Sequence, residues 1–339
     1  MEKMNVLFMH SGQNYRHPQG VCRVGRGTCQ QNGRYSAIVA RPIPLFRRVL
    51  SHPFQRSSAV YRALFPLLLI FLALPGVVRG QSAATITAHL RAVAEAGTDA
   101  LRDSASDRLK ADLRAVLSSD SAFTADFPKV PISRVDAPDG KLRLFTWNVP
   151  RTNGTHRYEG LLLVNKGRKQ VLYELRDMTE QITDPAFAPL SPENWYGALY
   201  YALVPVKRGA KTYYTLLGWK GQSAVETQKV VEVLSISGSM PRFGAPLFPG
   251  ERKRPLRQVY AYSAQATMQL RWDPVRKAII LDHLSPTKPE FAGQAAFMAP
   301  DLTFDSWTWD KDHWRLDRDI DFRGGGKGKP YNAPPKETR

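Results

Sequence analysis

Trp195-Tyr196-Gly197-Ala198-Leu199-Tyr200-Tyr201-Ala202-Leu203-Val204-Pro205-Val206, then Lys207-Arg208-Gly209-Ala210-Lys211, then Thr212-Tyr213-Tyr214-Thr215-Leu216-Leu217-Gly218-Trp219 carry the strongest strand signal in this 339-residue chain. β-Branched and aromatic side chains favour the pleated backbone, and a short Gly-containing turn between two such runs predicts a hairpin. Apolar residues occupy both of its faces. A strand with one wet face alternates apolar with polar, so this hairpin is expected at the centre of the fold, covered on both sides.

Period-two runs continue on either side. Upstream lie Leu142–Val149, Tyr158–Val164 and Gln170–Arg176, the first two joined by a turn containing Asn153-Gly154, and a long connection from Asp177 to Pro192 follows. Downstream come Val230–Ile236, a Gly/Pro-rich loop from Gly238 to Pro249, and strands over Val259–Ser263, Thr267–Trp272, Ala278–Leu284, Leu302–Trp309 and Trp314–Phe322. Ahead of them, residues 83–118 read as two helices. Ile86, Leu90, Val93 and Leu101 form one stripe, Gly97-Thr98 is a weak point, and Leu109, Leu113, Val116 and Leu117 form a second stripe behind an N-cap at Ser106. The expected class is α+β: an N-terminal helical pair (81–125), then a mainly antiparallel β-sandwich or open barrel of about eleven strands (126–322). Trp147, Trp219, Trp272 and Trp309 each end a strand, but their irregular spacing lacks the fixed period of propeller blades.

Residues 60–80 have the form of an export signal. The apolar run Ala63–Val78 carries Pro66 and Pro75 and is short for a bilayer, which asks for about 20 apolar residues. Arg62 precedes the run and Val78-Arg79-Gly80 closes it, predicting cleavage before Gln81. Left uncleaved, the segment would be an N-terminal anchor; otherwise no stable membrane span is expected. Residues 1–59, with eight arginines and no sustained period, read as a disordered leader or a mis-assigned start.

The formal charge of +18 resides mostly outside the expected fold. Residues 1–80 contribute +10 and the Gly/Pro/Lys tail 323–339, expected to be disordered, contributes +4, leaving +4 for residues 81–322. A nucleic-acid partner is therefore not expected. The dense Glu251-Arg252-Lys253-Arg254-Pro255-Leu256-Arg257 segment reads as a charged loop. Cys22 and Cys29 both precede the cleavage position, so a mature chain would hold no disulfide, thiol nucleophile or Cys-ligated zinc.

Acids concentrate near the C-terminus, where residues 301–321 hold seven aspartates and His313. Asp317, Asp319 and Asp321 share the alternate spacing of a calcium loop, but Phe322 stands where such a loop needs Gly. A solvated acidic face is the plainer expectation. A hydrolase would need two carboxyl groups across the scissile bond, with Asp282, His283, Asp310, Asp312 and His313 as the catalytic candidates. No HExxH, Gly-x-Ser-x-Gly, P-loop or GxGxxG signature follows residue 80, and no cofactor is expected. Trp195, Tyr196, Trp307 and Trp309 are candidates for an aromatic surface that stacks on a sugar face.

Asn194–Tyr201, Tyr213–Trp219 and Arg242-Phe243-Gly244-Ala245-Pro246 resemble an uncharacterised family of exported, β-rich bacterial proteins over about residues 140 to 310. The resemblance implies export and a β-rich domain and brings no activity with it. The resulting expectation is an exported envelope protein, in the periplasm, outer envelope or medium. It would act as a non-catalytic binding or structural module with an envelope component or glycan as partner. The alternative is an envelope or glycan hydrolase using Asp and His residues within 282–321.

Overall fold

The computed structural model describes residues 75–125, 130–167, 169–236, 238 and 240–321. The expected leader 1–59, residues 60–74 of the export segment, Phe322 and the tail 323–339 lie outside the described residues. Helix α1 (Pro75–Glu95) runs through the expected cleavage position, and α2 (Asp99–Leu117) follows at once. No described helix is long and apolar enough to cross a membrane. The N-cap of α2 is Thr98, whose hydroxyl accepts from the Leu101 amide at 3.3 Å. Ser106, expected as a cap, instead sits buried in mid-helix, where its hydroxyl takes the indole proton of Trp147 at 2.9 Å. With the helix starting earlier, Leu101 falls on the wet side.

Among the described residues the strands form three open antiparallel sheets. In the first, β1 (Ser133–Asp136), β2 (Leu142–Pro150), β3 (His156–Asn165) and β4 (Gln170–Arg176) meander in sequence order. In the second, β5 (Leu199–Arg208), β6 (Lys211–Gly221) and β7 (Glu226–Ser235) are consecutive, while β8 (Arg242–Phe243) and β9 (Arg257–Ser263) pair with successive parts of β7. The third holds β10 (Leu270–Asp273), β11 (Ala278–Pro286), β12 (Met298–Asp310) and β13 (His313–Asp317). The two-residue β8 and four-residue β1 are too short to leave a period-two signal, which accounts for their absence from the expected set.

Strand alternation directs each sheet into its neighbours. Odd-numbered Phe145, Trp147 and Val149 of β2 meet Ile86, Leu90, Leu109 and Leu113 of the helices. Even-numbered Leu142 and Leu144 turn the other way, onto Tyr214 and Leu216 of β6 and Val230 and Leu234 of β7. The opposite face of the second sheet, with Val204, Leu217, Val231 and Val233, packs on Leu270, Ile279, Leu281, Trp307 and Trp314 of the third. The helical pair, first sheet, second sheet and third sheet are thus stacked, and the hairpin β5–β6 is covered on both faces. Each fully buried Leu or Val contributes about 1.5–3 kcal/mol, so the central sheet is stabilised from two sides.

Candidate functional site

The expected catalytic set is split along β12. His283 lies where the β11–β12 register shifts, a bulge that re-aims its side chain, and its Nδ1 is 2.9 Å from Oδ2 of the nearly buried Asp305. Asp305 Oδ1 also accepts the Asp319 amide at 3.2 Å. Next to the bulge, Asp282 accepts the Gln269 amide at 2.7 Å, and burial raises its pKa against the opposing pull of that hydrogen bond and of Lys229. Asp310, Asp312 and His313 occupy the β12–β13 turn, where Asp310 pairs with Arg315 at 3.4 Å and Asp312 with His313 at 3.0 Å and Arg208 at 3.6 Å. Asp282 is in register with Phe304, and Asp310 is six residues further along that strand, about 20 Å at ~3.4 Å per residue. Paired glycosidase carboxyls sit within about 9.5 Å, so these two groups do not make one such site.

The calcium-like alternation also ends early. β13 stops at Asp317, whose carboxylate is held by Arg315 at 3.0 Å and Thr308 at 3.1 Å, and Asp319 takes a left-handed backbone with φ 52°. Asp321 lies beyond the strand, so the three do not share a strand face. Among the described residues no three His, Cys, Asp or Glu side chains converge to hold a metal ion.

The aromatic candidates are largely used up as core. Trp195, Tyr196 and Trp307 are 0 %, 3 % and 2 % exposed, so none offers a free ring face to a sugar. Trp195 donates to Tyr200 Oη at 3.1 Å, Tyr196 to Gln228 at 2.6 Å and Trp307 to Tyr260 Oη at 2.7 Å. Trp309 is half-buried, edge-on to Trp314 at 5.4 Å.

Three buried cations, Lys220, Lys229 and Arg257, lie on the second sheet among the described residues, all absent from the sequence-based candidates, and two of them are the most enclosed. Lys220, next to last in β6, is 1 % exposed, its Nζ donating to Thr179 Oγ1 and Gly197 O at 2.8 Å each, between the rings of Tyr158 (4.5 Å) and Tyr196 (4.6 Å). Burial pulls its pKa down to about 8, with Asp177 opposing. Neighbouring His156 is pulled down to about 4 by burial and by Lys220. Arg257 is wholly enclosed, pairing with Glu232 at 2.8 Å and donating to Ala188 O and Phe243 O. Burial holds Glu232 above the ordinary carboxylate range despite that arginine. Lys220 and Arg257 are both hydrogen-bonded to protein acceptors, as buried polar groups in folded proteins are.

A concave site is found elsewhere, in a cleft of about 330 Å³ between the ends of two sheets. Three lysines rim it: Lys141 at the entry to β2, Lys166 in the β3–β4 turn and Lys211 at the start of β6. Val164, Tyr214 and Ile236 supply apolar lining. Tyr214 donates its hydroxyl to Asp139 Oδ2 at 2.8 Å, and burial together with that carboxylate pushes the phenol pKa upward. Lys141 Nζ stands 3.9 Å from Asp139, Lys211 lies over Tyr213 at 4.7 Å and Lys166 over Tyr173 at 5.7 Å. The cleft is half-open to solvent, with lysines around a partly apolar wall. No single run of basic residues marks it, because each lysine comes from a different hairpin end. Its one sequence signal is a lysine beside each of those turns.

Comparison of the chain with protein-family models, with curated proteins and with solved structures found no match in any of the three.

Proposed function

We propose that the chain is an exported module of the cell envelope, akin to exported β-rich bacterial proteins and built as a stacked β-sandwich. It acts by binding rather than catalysis, and the lysine-rimmed cleft is its contact with an envelope component or glycan. One observation carries this: the concave site joins three ammonium groups to an apolar wall, whereas the aspartates of the third sheet are spread along strands and turns and largely engaged by arginines, hydroxyls and amides. Binding sites combine concavity with a few placed polar groups. Hydrolytic sites bring acid and base within reach of one scissile bond.

The test incubates the full-chain protein with envelope glycans and follows retention on the glycan together with release of reducing ends. Retention without release is expected, and loss of retention in an Ile236→Arg variant, which fills the cleft, locates the contact. Release of product would refute non-catalytic action. Export is tested on the native protein by mass spectrometry of its N-terminus, expected at Gln81.

A second reading, hydrolysis, is favoured by the Asp305–His283 pair at the bulge, since a carboxylate on Nδ1 is the arrangement that orients a general base. It would require that His283→Gln abolish product release.

A further inference from the structure

We infer that Lys229 is a nucleophilic amine that captures a small aldehyde as an imine between the second and third sheets. It shares the face of β7 with Val231 and Val233, away from the cleft and its Tyr214, so this site goes beyond the contact proposed above. Bonding sets it apart from the other buried cations. Lys220 and Arg257 donate to protein acceptors, whereas Lys229, 8 % exposed, has no hydrogen-bond acceptor among the described residues. Its ammonium lies instead over the Tyr201 ring at 5.0 Å, with Trp219 and Tyr260 as cross-strand neighbours. A buried donor left without an acceptor points to a group that arrives from outside.

Backbone geometry converges on the same residue. Among the described strand pairs the register breaks at Tyr201 in β5 and at His283 in β11. Bulges re-aim side chains and recur beside active sites. The first presents Tyr201 to Lys229, its hydroxyl pinned to Leu270 O at 2.8 Å. Beside the second stands Asp282, whose charge reaches Lys229 although the two make no ion pair. Asp282 Oδ2 holds the Gln269 amide, and Oδ1 has no protein donor among the described residues. Burial pulls the Lys229 pKa down to about 8 against Asp282, so near neutral pH part of it carries the lone pair that attack requires. That lone pair bonds to the carbonyl carbon as the C=O π pair moves to oxygen, and Asp282 relays a proton from nitrogen to that oxygen. The hydroxyl then leaves with a second proton from nitrogen as water while C=N closes. Amine and aldehyde thus give imine and water, without oxidant or reductant. The enclosure selects an aldehyde, the least hindered carbonyl.

The test maps lysine labelling on the folded full-chain protein by peptide mass spectrometry. With glycolaldehyde below one equivalent and cyanoborohydride to fix the imine, Lys229 is expected to be the first lysine alkylated. With acetic anhydride in trace amount, its acetylation should rise about tenfold from pH 7 to 9 and level off, whereas in the guanidinium-unfolded chain it should rise about a hundredfold and keep rising. The groups around it leave that profile alone. Burial pushes the phenols of Tyr201, Tyr260 and Tyr262 upward, Asp305 is tied to His283, and the 3-10 turn Ala295–Phe297 packed on β7 and β9 carries no charge. Asp282→Asn, with its melting temperature checked, should slow alkylation at least about tenfold and leave acetylation undiminished. Equal loss of both labels would overturn the relay assigned to Asp282. Acetylation of Lys229 without alkylation would overturn aldehyde capture, and a folded protein in which neither reagent reaches Lys229, or in which another lysine takes the aldehyde first, would overturn the inference as a whole.

Discussion

Lys220 allows a stability measurement whose sign and size follow from its surroundings. Its ammonium is enclosed, and burial lowers its pKa from an ordinary 10.5 to about 8. Between those values the unfolded chain still holds a proton that the folded chain has released, so raising the pH through this window favours folding. One proton corresponds to about 1.36 kcal/mol per pH unit, hence at most ~2.7 kcal/mol between pH 8 and 10. The Tyr158 and Tyr196 rings favour the charged form and reduce this to about 2 kcal/mol. Lys220→Met removes the titration and also strips Gly197 O of its donor, at a cost of about 1–3 kcal/mol. Near pH 7 that loss is offset by relief from burying a charge, so the two proteins should be close in stability. By pH 10 the variant should be the weaker by about 2 kcal/mol. Urea unfolding followed by tryptophan fluorescence at pH 7, 8, 9 and 10 gives the difference directly, and groups common to both proteins, including Lys229 and the buried tyrosines, cancel. A stability difference that does not change with pH would show that Lys220 is not charged and buried as described.

Arg257→Met should cost about 3–5 kcal/mol, because Glu232 would be left buried and charged, and adding Glu232→Leu should recover part of it; urea denaturation of the two singles and the double measures both. Gly197→Ala would set its Cβ 2.5 Å from Tyr158 Cβ and 2.7 Å from the Asp177 carboxyl carbon, so a loss of about 1–3 kcal/mol is expected in thermal unfolding. Thr98→Ala should cost about 1 kcal/mol and raise amide exchange in the first turn of α2.

The sequence is most legible where period and burial agree. The run 195–219 announces a doubly covered hairpin because neither face alternates, and β5 and β6 lie between two cores, with the turn at Gly209 adopting φ 58°. Ile86, Leu90 and Val93 likewise announce the face that meets the first sheet. Helix α2 is capped at Thr98, eight residues before the expected cap at Ser106, since Thr98 and Ser106 are equally good caps by type and only the contact with Trp147 distinguishes them. The C-terminal aspartates look like one cluster in a linear list because 21 residues hold seven of them. Folding into a strand, a turn and a second strand spreads them over the length of β12. The cleft is illegible for the opposite reason: Lys141, Lys166 and Lys211 are up to 70 residues apart and meet only when the first two sheets stack.

Because those lysines ride on hairpin tips rather than on strand interiors, the charge around the cleft is separable from the stability of the body beneath it. Lengthening or recharging a tip would change the shape and charge of the mouth while leaving the packed layers untouched.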